Sequence, residues 1–89
     1  MIEDVEITDN EFLRQFELEI GDNMARIEYA LQDRKIFLTK YEMPEDLEDQ
    51  GFRDIFIKAV FDEVRDRGIS VMPTSPEVVG FLRKNRRKY

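Results

Sequence analysis

The chain contains no cysteine and no histidine. Those two absences remove disulfides, thiol nucleophiles, imidazole bases and nearly every zinc or haem site in one step. Lack of cysteine also fits a reducing compartment. No apolar run approaches the ~20 residues that a membrane span needs, and the opening MIEDVEITDN has no apolar stretch of the kind a secretion signal carries. A cytoplasmic, soluble protein is the expectation. Internal repeats, low-complexity segments and linkers are missing too. The 89 residues therefore read as one domain with a single core, whose stability rests on packing alone.

The net charge of −6 conceals an asymmetry. Residues 1–50 carry 15 acidic and 5 basic side chains, a balance of −10; residues 51–89 carry 5 and 9, a balance of +4. An acidic body argues against a general nucleic-acid binder, because phosphate contacts need clustered Lys and Arg. Only the tail, residues 83–89, runs the other way, with Arg83, Lys84, Arg86, Arg87 and Lys88. A solvated helix end explains such a cluster through the C-terminal dipole, and docking of an acidic or nucleic-acid partner through the tail is the alternative.

Residues 1–11 read as a polar arm that pairs loosely at a sheet edge. Phe12, Phe16, Leu18 and Ile20 alternate with mostly polar neighbours, the pattern of a half-buried strand. Gly21-Asp22-Asn23 is a turn signal. Ala25, Ile27, Tyr29 and Leu31 alternate through a second strand, Gln32-Asp33-Arg34 is a second turn, and residues 36–41 form a third strand rich in β-favouring side chains. Pro44 ends it, and residues 45–50 read as an acidic connector. From Gly51 the spacing becomes helical: Phe52, Ile55, Phe56, Ala59, Val60 and Val64 share one face, widened by Ile57 and Phe61. Gly68 is a stop signal. A short strand over 69–72 is halted by Pro73. Ser75-Pro76 reads as an N-cap followed by proline at the first helical position, with Val78, Val79, Phe81 and Leu82 as the apolar side of a last helix. The expected class is α/β of the α+β type, in the order βββαβα, with a mainly antiparallel sheet packed by one long helix.

That order, together with the strings Phe16-Glu17, Ile27-Glu28-Tyr29, Tyr41-Glu42-Met43-Pro44, Gln50-Gly51-Phe52, Lys58-Ala59 and residues 69–75, resembles the small YjdJ-type branch of the GNAT acetyltransferase superfamily. The likeness runs from about Arg14 to Leu82. It implies an acetyl-coenzyme A-dependent N-acetyltransferase acting on an amine of a small molecule or protein. It also implies that residues 50–54 (Gln50, Gly51, Phe52, Arg53 and Asp54) hold the cofactor. Backbone amides at a helix N-terminus suit a pyrophosphate, and glycine permits its close approach.

The chain departs from the family pattern at several positions. The pattern places Gln or Arg, then Gly, then Gly or Ala at positions 48, 51 and 53, where this chain has Glu48, Gly51 and Arg53. Asp49 replaces another glycine, Lys40 a common histidine and Ser75 a common cysteine. For the chemistry, Glu42 is the candidate base, Tyr41 the candidate proton donor to the departing thiolate, and Ser75 a third candidate that also suits the helix cap. No metal site is expected: the acidic run of Glu45, Asp46, Glu48 and Asp49 lacks the ligand spacing of a calcium loop. Loss of catalysis with retention of the fold as an interaction module is the alternative reading.

Overall fold

Two hairpin turns set the register of the sheet. The computed structural model describes residues 5–88; the first four residues of the polar arm and Tyr89 of the tail lie outside them. Strands β2 (Gln15–Ile20) and β3 (Asn23–Gln32) pair antiparallel across a two-residue loop in which Gly21 takes φ +60°. Strand β4 (Lys35–Glu42) pairs with β3 across Asp33 and Arg34, whose φ values of 51° and 64° are both left-handed. Two successive positive φ angles are the signature of a type I′ turn, which matches the twist of the strands it joins.

The polar arm contributes a strand. β1 (Thr8–Asn10) pairs antiparallel with β2 at one edge of the sheet. Phe12, expected to begin the next strand, instead lies in the reversal between β1 and β2 and is 93% exposed. The polar neighbour decides this: the Leu13 N–H donates to the Asn10 side-chain oxygen at 3.0 Å, and Arg14 takes φ 55°. A side chain that satisfies the backbone locally favours a turn over a strand.

The acidic connector is also a correction. Residues Glu45–Asp49 form a short helix, α1, that starts after Pro44 and is anchored by Leu47, 1% exposed. Glu45, Asp46 and Glu48 stand in its first turn, where carboxylates complement the dipole. The long helix α2 (Phe52–Asp66) follows and buries Phe52, Phe56, Ile57, Val60, Phe61 and Val64 against the sheet. It ends in a Schellman motif: the N–H of Gly68, at φ 73°, donates to the Arg65 carbonyl at 2.9 Å, and that of Ile69 to the Val64 carbonyl at 3.3 Å. Strand β5 (Ser70–Pro73) then pairs parallel with β4 over Lys35↔Ser70 to Leu38↔Pro73. The last helix, α3 (Pro76–Lys84), packs on α2 through an edge-on contact of Phe61 and Phe81, with ring centroids 5.3 Å apart.

The described residues thus form an α+β fold: a five-stranded, mostly antiparallel sheet in the order β1-β2-β3-β4-β5, with three helices. Its core joins Phe16, Leu18, Ala25, Ile27, Ile36 and Leu38 of the sheet to the buried face of α2 and to Val78 of α3. No helix among the described residues is long and apolar enough to cross a membrane.

Candidate functional site

Three local features create an open corner where β4 ends and α2 begins. The pairing of β4 with β5 stops at Leu38, so residues 39–42 of β4 continue with no strand on that side among the described residues. Thr39 is the extra residue of a bulge, since Tyr29 pairs with Leu38 and Glu28 with Lys40. Its hydroxyl donates to the Glu28 carbonyl at 3.3 Å. Finally, α1 carries the chain from β4 to Gly51, which takes φ 85° and ψ 22° and opens α2 without any side-chain cap.

A helix start leaves several backbone N–H groups without intrahelical acceptors, and the dipole adds partial positive charge there. At Gly51, as at Gly21, Gly68 and Gly80, an added Cβ would meet no atom within 4 Å; what sets Gly51 apart is that it opens a long helix. The amides of Phe52, Arg53 and Asp54 belong to this first turn. Among the side chains, Phe52 is 1% exposed and belongs to the core, so only its backbone faces the corner chemically. Gln50 is exposed and closes α1 through its backbone, donating to the Asp46 carbonyl at 3.3 Å. Asp54 pairs with Lys84 of α3 at 2.7 Å. A first turn with no side-chain cap behind a left-handed glycine fits a phosphate-bearing cofactor.

Arg53 does not project alone from this turn. Its Nε donates to both carboxylate oxygens of Glu48, at 3.0 and 3.1 Å, and its Nη2 to one of them at 2.9 Å. The guanidinium also lies 5.5 Å from the centroid of the Tyr41 ring, and the Tyr41 hydroxyl donates to Glu48 at 2.8 Å. Tyr41, Glu48 and Arg53 therefore form one network between β4, α1 and α2. Burial, followed by the hydrogen bond to Glu48, pushes the Tyr41 phenol well above its ordinary value and keeps it protonated. Burial alone would raise the Glu48 carboxyl, but the Arg53 and Tyr41 hydrogen bonds and the Arg53 charge outweigh it and hold the group low.

The other candidates lie elsewhere. Glu42 is ion-paired with Arg26 at 2.9 Å and approaches Lys40 at 3.8 Å. The Arg26 hydrogen bond is the main reason its carboxyl is held below the usual range. Tyr41 packs toward the core while Glu42 pairs across the sheet to Arg26, as alternation along a strand requires. Ser75 is 4% exposed, and its Oγ accepts from the Val78 N–H at 3.4 Å as the cap of α3. Thus Tyr41 joins the segment from Gln50 to Asp54 at one corner, whereas Glu42 and Ser75 are held by separate partners.

Leu47 and Thr39 were not singled out by sequence reasoning, although the corner depends on both. A signal for Thr39 was present: the core-packed residues are Ile36 and Leu38, but then Tyr41 of β4 and Met43 just beyond it, a change of parity that requires one extra residue.

The sequence profile of the family described as GCN5-related N-acetyl-transferase matches residues 15–89. No curated protein matches the chain. The matched span takes in β2 to α3, and with them the whole corner around Gly51.

Proposed function

The chain belongs to the GCN5-related N-acetyltransferase family, and from that premise we propose that it binds acetyl-coenzyme A and acetylates an amine of a small molecule or protein. The observation that carries this reading is the start of α2, opened by a left-handed Gly51 with no side-chain cap. Amides of the first turn would receive the pyrophosphate, and Arg53 would add a cationic contact by exchanging Glu48 for a phosphate oxygen.

When bound, coenzyme A supplies the acetyl group as a thioester. The residues of this chain have narrower tasks: to hold the anion, orient the acceptor and move two protons. The acceptor nitrogen must lose a proton and the departing sulfur must gain one. In this proposal Tyr41 is the proton donor, since its hydroxyl stands beside the α2 corner. Glu42, at the free end of β4, would be the base, acting through water after release from Arg26. Ser75 orients the start of α3.

A second reading is an acyl-coenzyme A-binding or interaction module without catalysis. One observation favours it: the Tyr41 proton is already directed at Glu48, and Glu42 at Arg26. Calorimetric titration with acetyl-coenzyme A, combined with mass spectrometry of a panel of primary amines, separates the two. Heat of binding with acetylated product supports the enzyme; heat without product supports the module. Absence of heat at millimolar ligand would sink both.

A further inference from the structure

The dipole of α3 accounts for cations in its last turn, Arg83 and Lys84. It does not account for the path the chain takes next. Asn85 closes the helix with its backbone N–H on the Phe81 and Leu82 carbonyls, each at 3.1 Å, and its side-chain amide on the Phe81 carbonyl at 2.8 Å. The N–H of Lys88 then donates to the Asn85 carbonyl at 3.0 Å. The tail therefore turns at Asn85, with Arg86, Arg87 and Lys88 exposed.

This turn gathers Arg83, Lys84, Arg86, Arg87 and Lys88 around a recess of about 500 Å³. A second recess of about 220 Å³ shares Asn85 and Lys88 with it and is bounded by Asp54, Ile55, Lys58 and Phe81. The bridge from Lys84 to Asp54, 2.7 Å long, fixes the tail to the first turn of α2. Six cationic side chains and one carboxylate, Asp54, line the two recesses together. Even with Lys58 held by Asp62 at 2.9 Å, the excess is positive in a molecule of net charge −6.

We infer that this folded tail binds the 3′-phosphate of the coenzyme A adenosine. The inference rests on the proposed function, because a pyrophosphate at Gly51 is what brings the nucleotide to this side of α2. A phosphomonoester carries about −1.5 to −2 charges at neutral pH. Arginine forks and ammonium groups are the side chains that receive it. The amides at the start of α2 serve the diphosphate, and neither they nor the α3 dipole calls for the further cations Arg86, Arg87 and Lys88, whereas a third phosphate on the same ligand uses them.

The test compares coenzyme A with 3′-dephospho-coenzyme A by titration calorimetry at low salt. The proteins are the full chain and its Arg86→Gln/Arg87→Gln/Lys88→Gln variant, which leaves α3 and the Lys84–Asp54 bridge in place. The full chain is expected to prefer coenzyme A by about tenfold or more, a difference of about 1.4 kcal/mol. The variant is expected to keep its affinity for the dephospho ligand while the preference falls below about threefold. Equal binding of both ligands by the full chain would overturn the inference and leave the proposed function standing. Binding of neither would overturn that function. A variant that loses both ligands to the same degree would show a structural tail and also overturn the inference.

Discussion

At position 48 a carboxylate stands beside the helix start that is proposed to receive phosphates, and three of its hydrogen bonds come from Arg53. The pair is partly exposed, with side chains 26% and 46% accessible, so solvent limits its worth to about 0.2–1 kcal/mol. A phosphate that draws Arg53 away must offset that amount and also tolerate the carboxylate. Glu48→Gln removes both penalties, and it is expected to tighten acetyl-coenzyme A binding about two- to fivefold. Calorimetry checks this, and unchanged or weaker binding would show that Arg53 faces away from the phosphates. The same substitution has a pH signature. The Glu48 carboxyl is lower in the folded state than its ordinary 4.5, so its contribution is present above pH 4.5 and fades as pH falls through the depressed value. The variant should be less stable by up to about 1 kcal/mol at neutral pH, with the difference closing in acid. Opposite charges at positions 48 and 53 are visible in the sequence. Their meeting is not, because it depends on the αL turn at Gly51 that folds α2 back on α1.

The elements divide by how local their causes are. Turns at 21–22 and 33–34, the stop at Gly68 and the cap at Ser75 each follow from one or two residues, and all were readable. Of β1 a loose edge pairing of residues 1–11 was readable, though not its register, which depends on β2; the helix α1 and the exposed Phe12 were not, since they depend on the core contact of Leu47 and on the Asn10 side chain. Within the readable set the Asp33-Arg34 hairpin is strained in one respect. Arg34 adopts φ 64°, a conformation that costs a residue with a Cβ about 1–2 kcal/mol. Arg34→Gly removes that cost and adds some unfolded-state entropy, which offsets part of the gain. The expected result is a stabilisation of about 0.5–1 kcal/mol, or roughly 2–8 °C in Tm for a domain of this size, read by urea or thermal unfolding. A loss of stability would mean that the Arg34 side chain contributes more than its backbone costs.

Across the whole molecule, Asp9 ties the N-terminal arm to the sheet and to the end of α2. Its carboxylate accepts from the Tyr29 hydroxyl at 2.6 Å and pairs with Arg67 at 2.8 Å, joining β1, β3 and the end of α2 over 58 residues of sequence. Arg67 also holds Glu63 at 2.9 Å and lies 5.7 Å from the centroid of Phe16. No local pattern announces this meeting, because only the completed sheet brings the arm beside Arg67. Burial, then the Asp9 hydrogen bond, push the Tyr29 phenol up from 10.0 to about 12. A group raised on folding stabilises the native state fully below its unfolded value, and that contribution is lost as pH rises through the folded one. Stability should therefore decline from pH 10 toward pH 12 by a component that belongs to Tyr29. Tyr41 carries a shift of the same sign, so the difference between the parent and Tyr29→Phe isolates the term. In urea unfolding, the variant should start less stable at pH 9, lose less between pH 10 and 12, and meet the parent at the alkaline end. Parallel curves over that range would mean that Tyr29 titrates alike in both states, and that the tie at Asp9 does not depend on the phenolic proton.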